Sequence, residues 1–404
     1  MEYIDKLPPD NRDLSMFPGQ YGWPFLGKTV ELVKDTLAMC NKHYDRYGPV
    51  SRLDMVRNQR VLMCLGPEFN EAALFDPKGN FSVAGGYASS LGVLYPEGML
   101  LRDNKKHKKT RRASQPAFKT DALKTYVDML IPIQERRIQA LPIDQEFVFY
   151  DNIQETLMDV AARVFIGLDE TSPEAQRLNY LFSTINEGLV TPLPYDLPFL
   201  KFRKSLKARE ELRQFFISNI PKRRGSDAQD MFTRYCNAQD EDGEYLDDVD
   251  IDGHMAFLLF AAFDTTTSAL TNILYYLGKN PHWQEKVRAE IFNIRNEMPT
   301  FEDMAEMTMT EYVFQETLRF YPSVMILNRR TTRDVTVAGY DIPANTVVML
   351  SPPFTHRMDE WWSNPLEFDP MRFSPERAEH KSCLLYTSDA ADEGLGVDLG
   401  GRRI

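Results

Sequence analysis

The run His254-Met-Ala-Phe-Leu-Leu-Phe-Ala-Ala-Phe263 is the most apolar segment of the chain, and it leads directly into Asp264-Thr265-Thr266-Thr267. A second apolar block, Leu270 to Leu277, follows before Gly278. Acidic residues precede the run, so a helix across it places the acid and the hydroxyls near its middle. A carboxylate inside such a helix is costly unless something pairs with it or uses it. Asp264 and Thr265 are therefore the first candidates for function.

At 404 residues the chain exceeds the usual size of a single hydrophobic core. One large unit with a subsidiary lobe, or two domains, is expected. A net charge of −12 and a pI of about 5.2 argue against general nucleic-acid binding. Cys40, Cys64, Cys236 and Cys383 are far apart and form no CxxC pair. That spacing argues against a disulfide framework or a zinc finger and fits a reducing cytoplasm. Residues 1–9 lack the basic and apolar regions of a signal peptide. The apolar run Met255 to Phe263 falls short of the roughly 20 residues a bilayer span needs, so no membrane span is expected.

Breakers from Pro8 to Gly27 predict an extended leading segment. A helix is expected from Thr29 to Tyr47, ended by Gly48-Pro49. Val50–Met55 and Arg60–Leu65 flank Arg57-Asn58-Gln59 and predict a β-hairpin. Pro67 to Leu74 predicts helix, and glycine-rich Phe81 to Gly98 predicts loop. Helical periodicity dominates from Asp121 to Arg234, with a loop across Thr191 to Pro198. Helices are expected over His282–Asn296 and Met309–Tyr321, and strands over Asp334–Val337 and Thr346–Leu350. The expected class is mainly α with small β-sheets.

Asp248-Val-Asp250-Ile-Asp252-Gly253 imitates the start of a calcium loop, but its twelfth position is Leu259 rather than a bidentate glutamate. Acids before a helix are ordinary, because they favour its positive end. Glu316 and Arg319, three apart, share one helix face and can pair. Arg329-Arg330, His356-Arg357 and Phe368-Asp-Pro-Met-Arg372-Phe373 follow in order.

That ordered set resembles the haem-thiolate monooxygenases, the cytochrome P-450 family, over about Pro18 to Arg377. The resemblance implies a P-450-like single large domain and haem b (iron protoporphyrin) as cofactor. It implies O2 and an apolar small-molecule substrate as reactants, and an electron donor such as a ferredoxin or a flavoprotein reductase. It gives Asp264 and Thr265 the proton-delivery role, with Ala262 standing where the family usually has glycine. An alcohol beside an acid on one helix is also expected to loosen the local backbone bonding. Glu316, Arg319 and Arg372 become a buried structural triad. His107 and Arg111, with Arg329 (or its rival Arg330), become partners of the haem propionates. The other lysines of Lys105-Lys-His-Lys-Lys-Thr-Arg-Arg112 suit either an acidic electron donor or a solvated face. Phe81 to Leu94 resembles the loop lining the substrate pocket, and Ala261 and Phe263 are the candidate pocket contacts.

The family also requires a Phe-x-x-Gly-x-x-x-Cys-x-Gly loop after the Phe-x-Pro-x-Arg-Phe segment. Cys383 lies near the expected place, but Glu376, Glu379 and Leu385 stand where the phenylalanine and the glycines belong. No axial cysteine ligand for the metal is thus identified. Residues 1–381 are read as a P-450-like domain without that loop and the last helix, and 382–404 as an atypical, non-native tail. Three functions stay open: a monooxygenase, a haem-dependent isomerase or dehydratase, and a catalytically dead binding or scaffold protein.

Overall fold

β-branched and apolar residues in short runs build the strands Gly19–Gln20 (β1), Val50–Met55 (β2), Gln59–Cys64 (β3), Phe81–Ser82 (β4), Leu327–Thr331 (β5), Val335–Val337 (β6), Tyr340–Ile342 (β7) and Val347–Leu350 (β8). They are seen in a computed structural model that describes residues 10, 13–56, 59–189, 191, 195–240, 243–294 and 298–381. Cys383 and the rest of the expected tail, 382–404, lie outside the described residues. The main sheet has the order β1-β2-β3-β8-β5-β4, and β6 pairs with β7. The expected hairpin is present: β2 and β3 are antiparallel, with Val50 opposite Cys64. β3 then runs parallel to β8, with Val61 beside Val347.

Both faces of this sheet are buried, which explains why β3 and β8 read as continuous rather than alternating apolar runs. Leu62, Cys64, Val348 and Leu350 pack with Phe69 and Ala73 on one face. Val61, Met63, Val347 and Met349 pack with Met39, Cys40 and Phe354 on the other.

The helices are Thr29–Lys34 (α1), Thr36–Tyr47 (α2), Pro67–Leu74 (α3), Val83–Leu91 (α4), Asn104–Ser114 (α5), Thr120–Gln139 (α6), Phe149–Val160 (α7), Pro173–Leu189 (α8), Lys201–Arg223 (α9), Met231–Cys236 (α10), Asp248–Lys279 (α11), Pro281–Asn293 (α12) and Thr308–Phe320 (α13). The chain divides into two compact units. One comprises the described residues up to Val93, with Leu100–Asn104 and the described residues from Gln315 on. It holds the strands, and the class is mainly α with small sheets, as expected. The other takes Leu94–Met99 and Lys105–Phe314 and is helical.

Several local expectations are corrected. The helix expected over Thr29–Tyr47 is two helices, because Asp35 turns extended and its carboxylate caps α2 at Ala38 N (2.9 Å). The stretch expected as a loop from Phe81 to Gly98 contains β4 and α4. Ser82 caps α4 by accepting from Gly85 N (2.7 Å). Its glycines serve packing rather than flexibility. A Cβ on Gly86 would lie 2.6 Å from the Asn328 carbonyl and 2.8 Å from Arg329 Cα.

Gly86→Ala should therefore push β5 away and lower stability by about 1–3 kcal/mol. Gly278→Ala serves as the control, since nothing lies within 4 Å of that Cβ and the site is helical. It should be neutral or slightly stabilising. Urea midpoints of the two variants check the pair. Equal midpoints would contradict the packing account of Gly86.

The organising helix is α11, 32 residues long with Gly278 inside it rather than after it. Asp247 caps it, accepting from Asp250 N (2.6 Å). The acids that imitate a calcium loop are thus the cap region and first turns of a helix. Asp252 is further committed to a buried bidentate pair with Arg209 of α9 (3.0 and 2.7 Å). The apolar segment also proves longer than its contiguous run: by length and composition alone α11 is long and apolar enough to cross a membrane. Here residues Ile251 to Leu259 are all buried in protein, and the helix packs on α7 and α9.

Candidate active site

The apolar run forces α11 into the core of its helical unit, and this carries Asp264 and Thr265 to the helix middle. Phe263 is buried, edge-on to Phe182 of α8 at 5.5 Å between ring centres. Asp264, the next residue, is accessible. Protein around its carboxyl still raises the pKa above the ordinary 3.8. The backbone stays helical throughout, so the expected loosening does not occur. The hydroxyls bond back instead: Thr265 Oγ1 donates to Ala261 O (2.7 Å) and Thr267 Oγ1 to Phe263 O (2.9 Å). With its proton committed there, the Thr265 oxygen keeps lone pairs to accept a bond.

The segment Leu94–Met99 is strapped onto the same helix. Arg209 Nε donates to Leu94 O (3.0 Å), and the Tyr95 ring stacks on Phe260 at 4.8 Å. Gly98 and Gly253 allow this approach, because a Cβ on either would meet Phe257 or Glu97 at under 3 Å. Tyr95 OH donates to Asn186 Oδ1 (2.6 Å), and Asn186 Nδ2 donates to Asp264 Oδ2 (3.4 Å). Neither Tyr95 nor Asn186 was singled out from the sequence. No periodicity or motif marks them, since they meet only in three dimensions.

In the other unit the expected triad is assembled. Glu316, Arg319 and Arg372 are fully buried. Glu316 accepts from Arg319 Nε (2.6 Å) and Nη2 (2.9 Å), from Arg372 Nε (3.2 Å), and from Asp369 N (2.9 Å). Arg319 Nη1 also donates to the carbonyls of His356 (2.7 Å) and Pro365 (3.0 Å). Every bond of that kind removes an unpaired buried donor. Glu379 adds a second carboxylate that the sequence did not reveal, 3.1 Å from Arg372 Nη1. Burial alone would raise its carboxyl, but bonds from Ser363, Arg377 and Arg372 outweigh that and bring it down to about 2.

The basic helix α5 separates into two faces. Lys105, Lys106, Lys108, Lys109 and Arg112 are exposed; Lys106 pairs with Glu97 and Lys109 with Asp240, each at 2.8 Å. His107 and Arg111 are half-buried on the side shared with buried Thr110 and Ser114. Arg329 and Arg330 are neighbours on β5 and so face opposite ways. Arg330 pairs with Asp10 (3.0 Å), while Arg329 is buried with Nη1 donating to Asn328 O (3.1 Å).

Comparison with known proteins decides the family. Residues 17–386 match the family model described as cytochrome P450. The chain belongs to the cytochrome P450 family. Cytochrome P450 136 of Mycobacterium tuberculosis is 29% identical, over 93% of this chain and 76% of its own. Taxane 10-beta-hydroxylase of Taxus cuspidata is 27% identical, over 91% and 77%. The solved structure of retinoic acid-bound cyanobacterial CYP120A1 aligns with a TM-score of 0.82 at 26% identity, covering 91% of this chain and 84% of that one.

Membership of the cytochrome P450 family implies haem and a monooxygenase type of oxidoreductase. The residues present fit the cofactor in part. Half-buried Arg111 and buried Arg329 carry the charge that propionates need, and half-buried His107 is of a type that can donate to them. An axial thiolate is a different matter. Cys40, Cys64 and Cys236 are buried, and burial pushes all three thiols up, Cys40 to about 11 and Cys236 to about 12. All three side chains are committed to the packed core. Among the described residues no axial sulfur is supplied.

Proposed function

We propose that this P450 is a monooxygenase inserting one oxygen atom from O2 into an apolar small molecule with electrons from a redox partner. The observation that carries this reading is Asp264 beside Thr265 on an unbroken helix, accessible yet raised in pKa. A carboxyl raised in this way holds its proton to higher pH than an ordinary aspartate, which suits a proton-delivery group. Thr265, next to it, has a hydroxyl oxygen that can accept a hydrogen bond. Ala261 and Phe263 contribute to the apolar wall on the same helix. By family membership His107 and Arg111 of the helical unit, and Arg329 of the other, are propionate partners, and Glu316, Arg319 and Arg372 lock the core of the unit that holds the sheet. Haem, when bound, supplies the redox and oxygen chemistry.

The substrate class we favour is isoprenoid. Taxanes and retinoic acid, named for two of the similar proteins, are both isoprenoids. The exposed lysine face of α5 suits an acidic electron donor such as a ferredoxin.

A binding-only protein is the second reading, favoured by the lack of an axial thiolate among the described residues. The spectrum of the reduced, carbon monoxide-treated full chain separates the two. The red-shifted band of a thiolate-ligated haem supports the monooxygenase. Haem uptake with an unshifted band, or no uptake, favours the binding protein.

A further inference from the structure

We infer that Asn186 is a positioning residue for Asp264, and that Tyr95 sets which way its side-chain amide faces. This deepens the proton-delivery reading and rests on it. The geometry gives the chain a direction. The Tyr95 hydroxyl, 2.6 Å from Asn186 Oδ1, donates to that oxygen. The amide N–H2 is therefore the end turned toward Asp264 Oδ2, at 3.4 Å. An amide presenting N–H favours the carboxylate form, whereas one presenting oxygen would favour the acid. Asn186 thus opposes the burial of Asp264, and the two together place its titration.

Tyr95 is rigidly held for this task. Its ring stacks on Phe260 at 4.8 Å, its backbone neighbour Leu94 is bonded by Arg209, and the ring is almost wholly buried. Burial pushes its phenol well up, so it stays a donor across the working range. Tyr150 of α7 is a second neutral phenol near Asp264, raised first by burial and then by that carboxylate. Arg209, the nearest cation acting on Tyr95, is already bound bidentate by Asp252. Asp264 thus accepts from a neutral amide, and the uncharged chain Tyr95–Asn186 acts on it.

The test is an infrared titration of the Asp264 carboxyl in the full chain, isolated by subtracting Asp264→Asn. Asn186→Leu should move the titration upward by about half to one pH unit, the weight of one long bond to a charged acceptor. Tyr95→Phe keeps the stack and lets the amide flip, so it should move the titration the same way by less. The double variant should match Asn186→Leu alone, because Tyr95 acts only through Asn186. An unmoved titration in Asn186→Leu overturns the proposal. So does a Tyr95→Phe shift that adds in full to it. If Asn186→Leu fails to fold, an unmoved titration in Tyr95→Phe overturns it equally. The monooxygenase reading fails elsewhere, in the carbon monoxide spectrum and not in this titration.

Discussion

Glu316→Ala is expected to cost about 3–5 kcal/mol, because it leaves two fully buried arginines facing each other without their shared carboxylate. That is a large part of the total stability of an ordinary domain, roughly 5–15 kcal/mol. Glu316→Gln should be little better: it keeps the shape but supplies an amide N–H2 where only acceptors fit. An exposed pair of equal geometry provides the contrast. Arg177 and Glu211 make two bonds of 2.7 Å at the surface. Glu211→Ala should cost only about 0–1 kcal/mol, since solvent already screens those charges. Denaturant midpoints of the two variants measure the difference. Similar losses would mean that the buried triad is not the lock its burial implies.

The second large effect is expected at Asp264, and it has opposite signs for stability and for function. On the proposed proton-delivery role, Asp264→Asn should lower product formation about 10²–10⁴-fold, the usual weight of a positioned general acid. The same change should raise stability at neutral pH. The sign follows from linkage. Burial raises the folded-state pKa of Asp264 above 3.8, so between that value and the raised one the folded chain binds more protons than the unfolded chain. Stability then falls as pH rises through that window. The variant should therefore be more stable than the parent above it and equal to the parent below. Thermal unfolding across pH tests the first half, and turnover of the haem-loaded chain tests the second. A variant no more stable at neutral pH would show that Asp264 carries no such strain.

Much of the site could be read from residue order. The Glu316–Arg319 pair follows from spacing on a helix, the family resemblance adds Arg372, and burial is what turns that pattern into a lock. Asp264 stood out because a charge interrupts an apolar run. What the sequence concealed are partnerships across long separations. Asn186 and Tyr95 lie on elements whose own patterns look ordinary, and Glu379 first registers as a departure from the family loop rather than as a partner of Arg372. Helix α4 was hidden for a related reason. Two of its glycines suggest a loop until their neighbours show that no Cβ fits. The break at Asp35 likewise turns on a cap geometry that periodicity does not encode.

The buried thiols have a practical consequence. Cys40 and Cys64 lie in the unit that holds the sheet, one against each of its faces, whereas Cys236 ends a helix of the other unit. All three are shut off from solvent and kept protonated, so an alkylating reagent reaches them only when the surrounding structure opens. With Cys383 replaced by serine, the labelling rates at these positions become a native clock for each unit: two dials on the sheet and one on the helices.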